Sequence, residues 1–190
     1  MKLALFPLPI FLLPGGYTRL KIFEQRYLHM VKEASKTGQG FVLCNYVEDA
    51  EYNVPDEGVL VKIVDFSQDP NGQLLIDVVG ESRVSINDVH CDNQQLRYGE
   101  CEKRDGPPWE CHDAWLSLID NNLQHKLEHV FYANPVLDDL YREKDFSDPI
   151  WVAYRWLELL PIPMMQKEKV KQAQTFEQVA NFLHTVLDED

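Results

Sequence analysis

No stretch of this sequence is long enough to cross a bilayer. The longest apolar run, Leu3–Pro14, spans 12 residues, where about 20 are needed. Pro7, Pro9 and Pro14 break any helix there. The following GGYTRLKIF carries no small-x-small cleavage pattern, so the run reads as a buried strand and its exit, not as a signal peptide. None of the nine glycines is followed by lysine, which excludes a P-loop. Gly38-x-Gly40 meets Leu43 where a dinucleotide fingerprint requires a third glycine. G-x-S-x-G is missing, so nothing marks a nucleophile elbow. Cysteine is sparse: Cys44, Cys91, Cys101 and Cys111 form no C-x-x-C pair. A Cys91–Cys101 bridge is open on spacing alone, but without a targeting signal the reading is reduced thiols in the cytoplasm. Positive charge is also scarce, 18 Lys and Arg against 31 Asp and Glu for a net −13. A broad phosphate-binding surface is thereby disfavoured.

What is present divides at Asp105-Gly106-Pro107-Pro108. Before it the chain reads as β-rich with one helix. Leu3–Phe6, Tyr17–Phe23, Phe41–Val47, Gly58–Phe66, Leu74–Val79, Arg83–Val89 and Gln95–Lys103 have strand patterns, and Asp69-Pro70-Asn71-Gly72 is a strong turn. Tyr27, Leu28, Met30, Val31 and Ala34 give a helix over Glu24–Lys36, closed by Gly38. Short strands at this spacing predict a small barrel or curled sheet. Beyond the boundary everything reads as helix. Trp115, Ile119, Leu123, Leu127 and Phe131 form an i, i+4 stripe over four turns. Asn134-Pro135 stops it, and a short helix around Val136–Lys144 follows. Asp148-Pro149 opens a helix ending at Pro161, Pro163 another through Gln172, and Thr175-x-x-Gln178 has capping-box form. The expected domains are therefore 1–104 and 105–190.

The remaining reactive side chains are scattered. His125-x3-His129 has the i, i+4 spacing of a zinc pair, but it lies on the polar side of an amphipathic helix and reads as solvated. Asp138, Asp139 and Glu143 are neighbours of the kind that 31 carboxylates produce by chance. Lys167, Lys169 and Lys171 are interleaved with Glu168 and lack aromatics, a poor nucleic-acid patch. The tryptophans of the second half read as helix core, with an apolar groove as the alternative. No catalytic residue, metal or cofactor is expected.

Three blocks carry a family resemblance. The first is Phe6-Pro7-Leu8, then Phe11-Leu12-Leu13-Pro14-Gly15-Gly16, then Leu20-Lys21-Ile22-Phe23-Glu24-Gln25-Arg26-Tyr27. The second runs from Gly58 through Lys62-Ile63 and Asn71-Gly72 to Gly80-x-x-Arg83-x-x-Ile86. The third is Asp148-Pro149 with Trp156-Leu157-Glu158-Leu159-Leu160-Pro161. Together they resemble the amino-terminal substrate-recognition domain of Lon proteases along essentially the whole chain. Thr18-Arg19, Val84 and Val170–Gln174 depart from the pattern.

The resemblance implies an α+β fold, a PUA-like β-barrel with one inserted helix followed by a C-terminal helical bundle. It implies that Phe6, Leu8, Ile22 and Phe23 fill the barrel, that Glu24 supports the helix start, and that Arg26 pairs with a carboxylate or carbonyl. It further implies a noncatalytic module, without the ATPase and peptidase domains, that binds unfolded or extended polypeptide segments. Such a module fits an adaptor or quality-control factor working with a protease or chaperone. Phe11, Leu12, Leu13, Tyr17, Arg26 and Tyr27 are the expected peptide contacts, provided that the loop Phe11–Tyr17 is exposed. RNA binding by a PUA-like barrel is the alternative.

Overall fold

A computed structural model describes residues 1–188. The chain divides into two compact units, Met1–Asp105 and a second beginning at Gly106. Among the described residues, the first is a mixed α+β unit and the second is helical.

The first unit builds β1 (Lys2–Leu8), β2 (Tyr17–Ile22), α1 (Gln25–Thr37), β3 (Phe41–Asn45), β4 (Glu57–Gln68), β5 (Leu74–Cys91) and β6 (Arg97–Arg104). The strands form one sheet in the order β2-β5-β4-β3-β1-β6, and β5 also pairs with β6. β1 and β3 run parallel, with Leu5 opposite Val42. Both carry uninterrupted apolar residues because both faces are covered. Leu3, Leu5, Val42 and Cys44 enter one core cluster, while Phe6, Phe41 and Leu43 enter another with Tyr27, Met30 and Val31 of α1. The apolar spacing on α1 thus serves a buried face. The helix ends at Gly38, whose φ of 70° is the left-handed conformation a C-cap requires.

The stretches Leu74–Val79 and Arg83–Val89 are not two strands but halves of one 18-residue β5. No turn separates them, because every part of β5 has a partner. Its first half pairs with β2, its second half with β6, and β4 follows it from Gln68 to Glu57 across two register shifts. The turn into β5 behaves as its residues demand: Asp69 Oδ1 accepts the Asn71 and Gln73 amides, each at 2.9 Å.

The second unit contains α2 (Asp113–Leu116), α3 (Asn121–Ala133), α4 (Pro135–Leu140), α5 (Pro149–Leu159), α6 (Met164–Lys171) and α7 (Phe176–Leu187). The stripe from Trp115 to Phe131 is interrupted. Asp120 accepts the Leu123 amide at 3.0 Å and so starts α3 afresh. An Asp side chain that satisfies an orphan amide outcompetes helix continuation. Asn134, Asp148 and Thr175 cap α4, α5 and α7, and Gln178 completes a capping box. Leu123, Leu127, Phe131, Phe176, Val179 and Leu183 are fully or almost fully buried. Trp109, Trp151 and Trp156 are buried too, and the Trp156 indole donates to the Leu123 carbonyl at 3.1 Å.

All four cysteines are free. Burial pushes the Cys44 thiol up to about 12 and the Cys101 thiol up to about 11. A thiol attacks as its thiolate, so Ellman's reagent at pH 8 should label Cys91 and Cys111 in the folded protein. Cys44 and Cys101 should react only after denaturant is added. Rapid native labelling of Cys44 would contradict its placement.

Candidate functional site

β2 lies at one end of the sheet order, so one of its backbone edges faces away from β5. β1 pairs with β6 only over Lys2–Leu5 and with β3 over Leu5–Leu8. Among the described residues, its last ones therefore have no strand partner on the side away from β3. A cleft of about 360 Å³ opens here. Arg19, Lys21 and Phe23 line it from β2 and its exit; Pro7, Leu8 and Ile10 line it from β1 and its exit. Phe6, Leu20 and Tyr27 are its buried parts, and Tyr46, Arg26 and Arg97 complete it.

Two large apolar surfaces stand open at this cleft, with Phe23 62% exposed and Tyr46 47%. Phe23 was expected to fill the interior. Instead Leu20 and Ile22 turn inward while Arg19, Lys21 and Phe23 are exposed. The period of two along β2 sets this parity, and it was readable in the sequence. Tyr46 and Arg97 carry no comparable signal, since chain pairing alone brings the ends of β3 and β6 here.

Arg26 reaches the Glu24 carboxylate at 2.6 Å and the Gln95 carbonyl at 3.4 Å, with its guanidinium 4.9 Å over the Tyr27 ring. Its buried Nε has no hydrogen-bond partner. Glu24 precedes α1 without capping it through its side chain. The Tyr27 ring lies 4.0 Å from that of Phe6. Burial raises the Tyr27 hydroxyl, while the positive charges of Arg26 and Arg97 oppose the shift, both acting on the same oxygen. Arg97 Nε donates to the Tyr52 carbonyl at 2.6 Å. Arg19 forks onto Asp77 at 2.6 and 2.8 Å, a pairing that raises its already high pKa. Lys21 meets Asp69 at 2.5 Å. The lining thus holds four cations and one carboxylate, Glu24, in a chain of net charge −13.

The loop that leads into β2 is packed down. Leu13 and Tyr17 are buried, at 2% and 8% exposure, and Phe11 and Leu12 are half-buried. The loop is clamped to β5: the Gly15 amide donates to the Gly80 carbonyl and the Gly80 amide to the Gly16 carbonyl, both at 2.8 Å. A Cβ on Gly80 would stand 2.7 Å from the Leu13 carbonyl oxygen, so the close approach depends on glycine. Of the six expected contacts, the cleft gathers Arg26 and Tyr27 and leaves Phe11, Leu12, Leu13 and Tyr17 outside its lining.

Among the described residues, no group of three or more His, Cys, Asp and Glu is placed to hold a metal ion. His125 and His129 are exposed on α3. No described helix is long and apolar enough to cross a membrane.

These features define an α+β domain with an accessible apolar cleft beside the last strand of its sheet. The sequence model of the ATP-dependent protease La (LON) substrate-binding domain matches residues 2–186, and the chain belongs to that family. Its fold is similar to that of a Lon N-terminal domain protein from Xanthomonas campestris. The TM-score is 0.72 at 25% identity, over 97% of this chain and 98% of that one. The N-terminal domain of a Mycobacterium avium complex Lon protease shares the fold with a TM-score of 0.71 at 17% identity, over 100% and 99% of the two chains.

Proposed function

We propose that this chain is a noncatalytic polypeptide-recognition module, an adaptor or quality-control factor of the cytoplasm, whose cleft beside β2 receives extended segments. The observation that carries the reading is the exposed pair Phe23 and Tyr46 at an apolar cleft bordered by β2, the last strand in the sheet order, and by the end of β1. An extended peptide gains affinity from main-chain hydrogen bonds to a free strand edge and selectivity from pockets for alternate side chains. Pro7 on β1 lacks an amide, a device that blunts indiscriminate edge pairing. The first unit is read as a PUA-like barrel, a view supported by the succession of pairings from β5 through β4, β3, β1 and β6 back to β5. Arg26 and Tyr27 are the contacts retained from the signature; Phe11, Leu12, Leu13 and Tyr17 act through the loop that holds β2 in place. RNA is the weaker ligand class, since Asp77, Asp69 and Glu24 accompany the cleft's cations and would oppose a phosphate backbone.

Phe23→Ala tests the reading. An aromatic anchor at the centre of a contact carries a large share of binding energy, so its loss should weaken binding roughly thirtyfold. Exposed as it is, Phe23 should leave stability within about 0.5 kcal/mol of wild type. The measurement is fluorescence anisotropy with a labelled, reduced and carboxymethylated unfolded protein, beside a thermal melt. Unchanged affinity in the variant overturns the cleft as the site. Binding of a single-stranded RNA but of no polypeptide overturns the function.

A further inference from the structure

The distribution of charge around the cleft goes further than recognition of apolar segments. We infer that the cleft selects extended segments in which an aromatic or large aliphatic residue stands beside an Asp or Glu side chain. This rests on the polypeptide-binding reading above and adds the chemistry of the preferred segment.

Three of the four lining cations already have carboxylate partners: Arg19 with Asp77, Lys21 with Asp69, and Arg26 with Glu24. Arg97 differs. Its Nε donates to a backbone carbonyl, that of Tyr52, which supplies no opposite charge. Its two terminal nitrogens are the donors best suited to a carboxylate fork. Arg26 adds to the same region through its influence on the Tyr27 hydroxyl, which Arg97 shares, and its buried Nε has no acceptor. Beside the cleft, Arg26 also lines a second hollow with His29 and Lys32 on α1. Arg26 and Lys32 thus extend the positive character past the cleft along one side of the helix.

The occupant must complement both features. Phe23 and Tyr46 offer exposed apolar surface for a ring or a branched chain, and Arg97 adds positive charge to the same cleft lining. A Lys or Arg in the segment would meet Arg97, Arg26 and Lys21 as like charges, which partner surfaces avoid. Among the acidic groups near the lining, Glu24, Asp69 and Asp77 are each engaged by a lining cation, and Asp65 acts on Arg19. An acidic segment is therefore attracted to Arg97, the lining cation that has no carboxylate partner among the described residues.

The test uses short fluorescein-labelled peptides, amidated at the C-terminus, that share one sequence with a central Phe and differ only in its neighbour: Asp, Asn or Lys. A charge-assisted bond at a half-exposed cation should favour Asp over Asn about tenfold at low salt. That ratio should shrink toward one when NaCl is raised tenfold. Lys should bind most weakly. Arg97→Gln should remove the Asp preference and Arg97→Lys should keep most of it; should Arg97→Gln fail to fold, the wild-type ratio and its salt dependence decide. Equal binding of Asp and Asn peptides overturns the charge selection and leaves polypeptide recognition standing, whereas binding of no peptide overturns both. A preference unchanged in Arg97→Gln overturns the assignment to Arg97. A neutral peptide with a free C-terminus that binds more tightly than the amidated Asp peptide overturns the commitment to a side-chain carboxylate.

Discussion

Gly40→Ala should cost the first unit at least about 3 kcal/mol, clearly more than the neighbouring Gly38→Ala. Both glycines have a positive φ, 70° at Gly38 and 74° at Gly40. An L-residue pays for that conformation by about 1–2 kcal/mol at either position. The positions differ in what surrounds them. A Cβ at Gly38 meets nothing within 4 Å, whereas one at Gly40 would stand 2.1 Å from the Val61 carbonyl oxygen. Val61 is the residue of β4 that pairs with Phe41, the first residue of β3. Relieving the clash therefore means separating the two strands at the start of their ladder. Phe41 and Val61 both have 0% exposure, so the separation also opens packed core. Urea titration followed by far-UV circular dichroism, with hydrogen exchange at the β3 and β4 amides, measures the difference. Equal losses at the two glycines would show that conformation alone, and not close approach, governs this corner.

How much of this was visible in the sequence depended on whether the signal was local. Caps, turns and strand parity are set within a few residues. Thr175 with Gln178, Asp148 with Pro149, and the Asp69–Gly72 turn each carry their own hydrogen-bond acceptor or fixed φ, and the structure uses them as the chemistry requires. The family signature was equally legible, and the family is shown. Two local signals were misread. Asp120 is a helix start, although the apolar stripe runs past it from Trp115 to Phe131; periodicity says which residues share a face, not whether one helix carries them. Phe23 is exposed with Arg19 and Lys21, not interior, because the alternation along β2 carries past Ile22.

The cleft itself was not legible, for a different reason. Tyr46 and Arg97 reach it because β3 and β6 flank β1, a pairing between residues distant in the chain. The loop Phe11–Tyr17 showed the opposite effect. Its apolar residues looked available, yet the backbone bonds to Gly80 hold it against the sheet. A signature motif marks residues that matter to the domain without saying whether they matter by touching a partner or by holding the surface that does. Burial separates the two roles: the signature's Leu13 and Ile22 are at 2% and 1% exposure, while its Phe23 is at 62%.

In the second unit, Glu158→Ala should destabilise the fold by about 3–5 kcal/mol, more than the double change Arg155→Met with Glu158→Leu. Arg155 sits on α5 at 0% exposure. Its Nε lies 2.8 Å from Glu158 Oε2 and one terminal nitrogen donates to Glu158 Oε1 at 2.9 Å, a fork whose carboxylate is only 7% exposed. The Tyr141 hydroxyl donates to the same carboxylate at 3.2 Å. The guanidinium lies 5.3 Å from the Trp151 ring centre and 5.9 Å from that of Tyr141. Removing Glu158 alone leaves a desolvated cation without the carboxylate that balances it. Removing both charges and restoring apolar volume takes away the penalty at Arg155, while buried Lys167 and the Tyr141 hydroxyl still lose the Glu158 carboxylate. The double variant should therefore recover part of the loss and remain more stable than Glu158→Ala. Trp109, Trp115, Trp151 and Trp156 are the protein's four tryptophans and all belong to the second unit. Their emission during urea unfolding therefore reports this transition separately from the far-UV signal of the sheet. If the double variant is as unstable as Glu158→Ala, the pair contributes by shape and packing, and burial of an unbalanced charge is not what makes the single change costly.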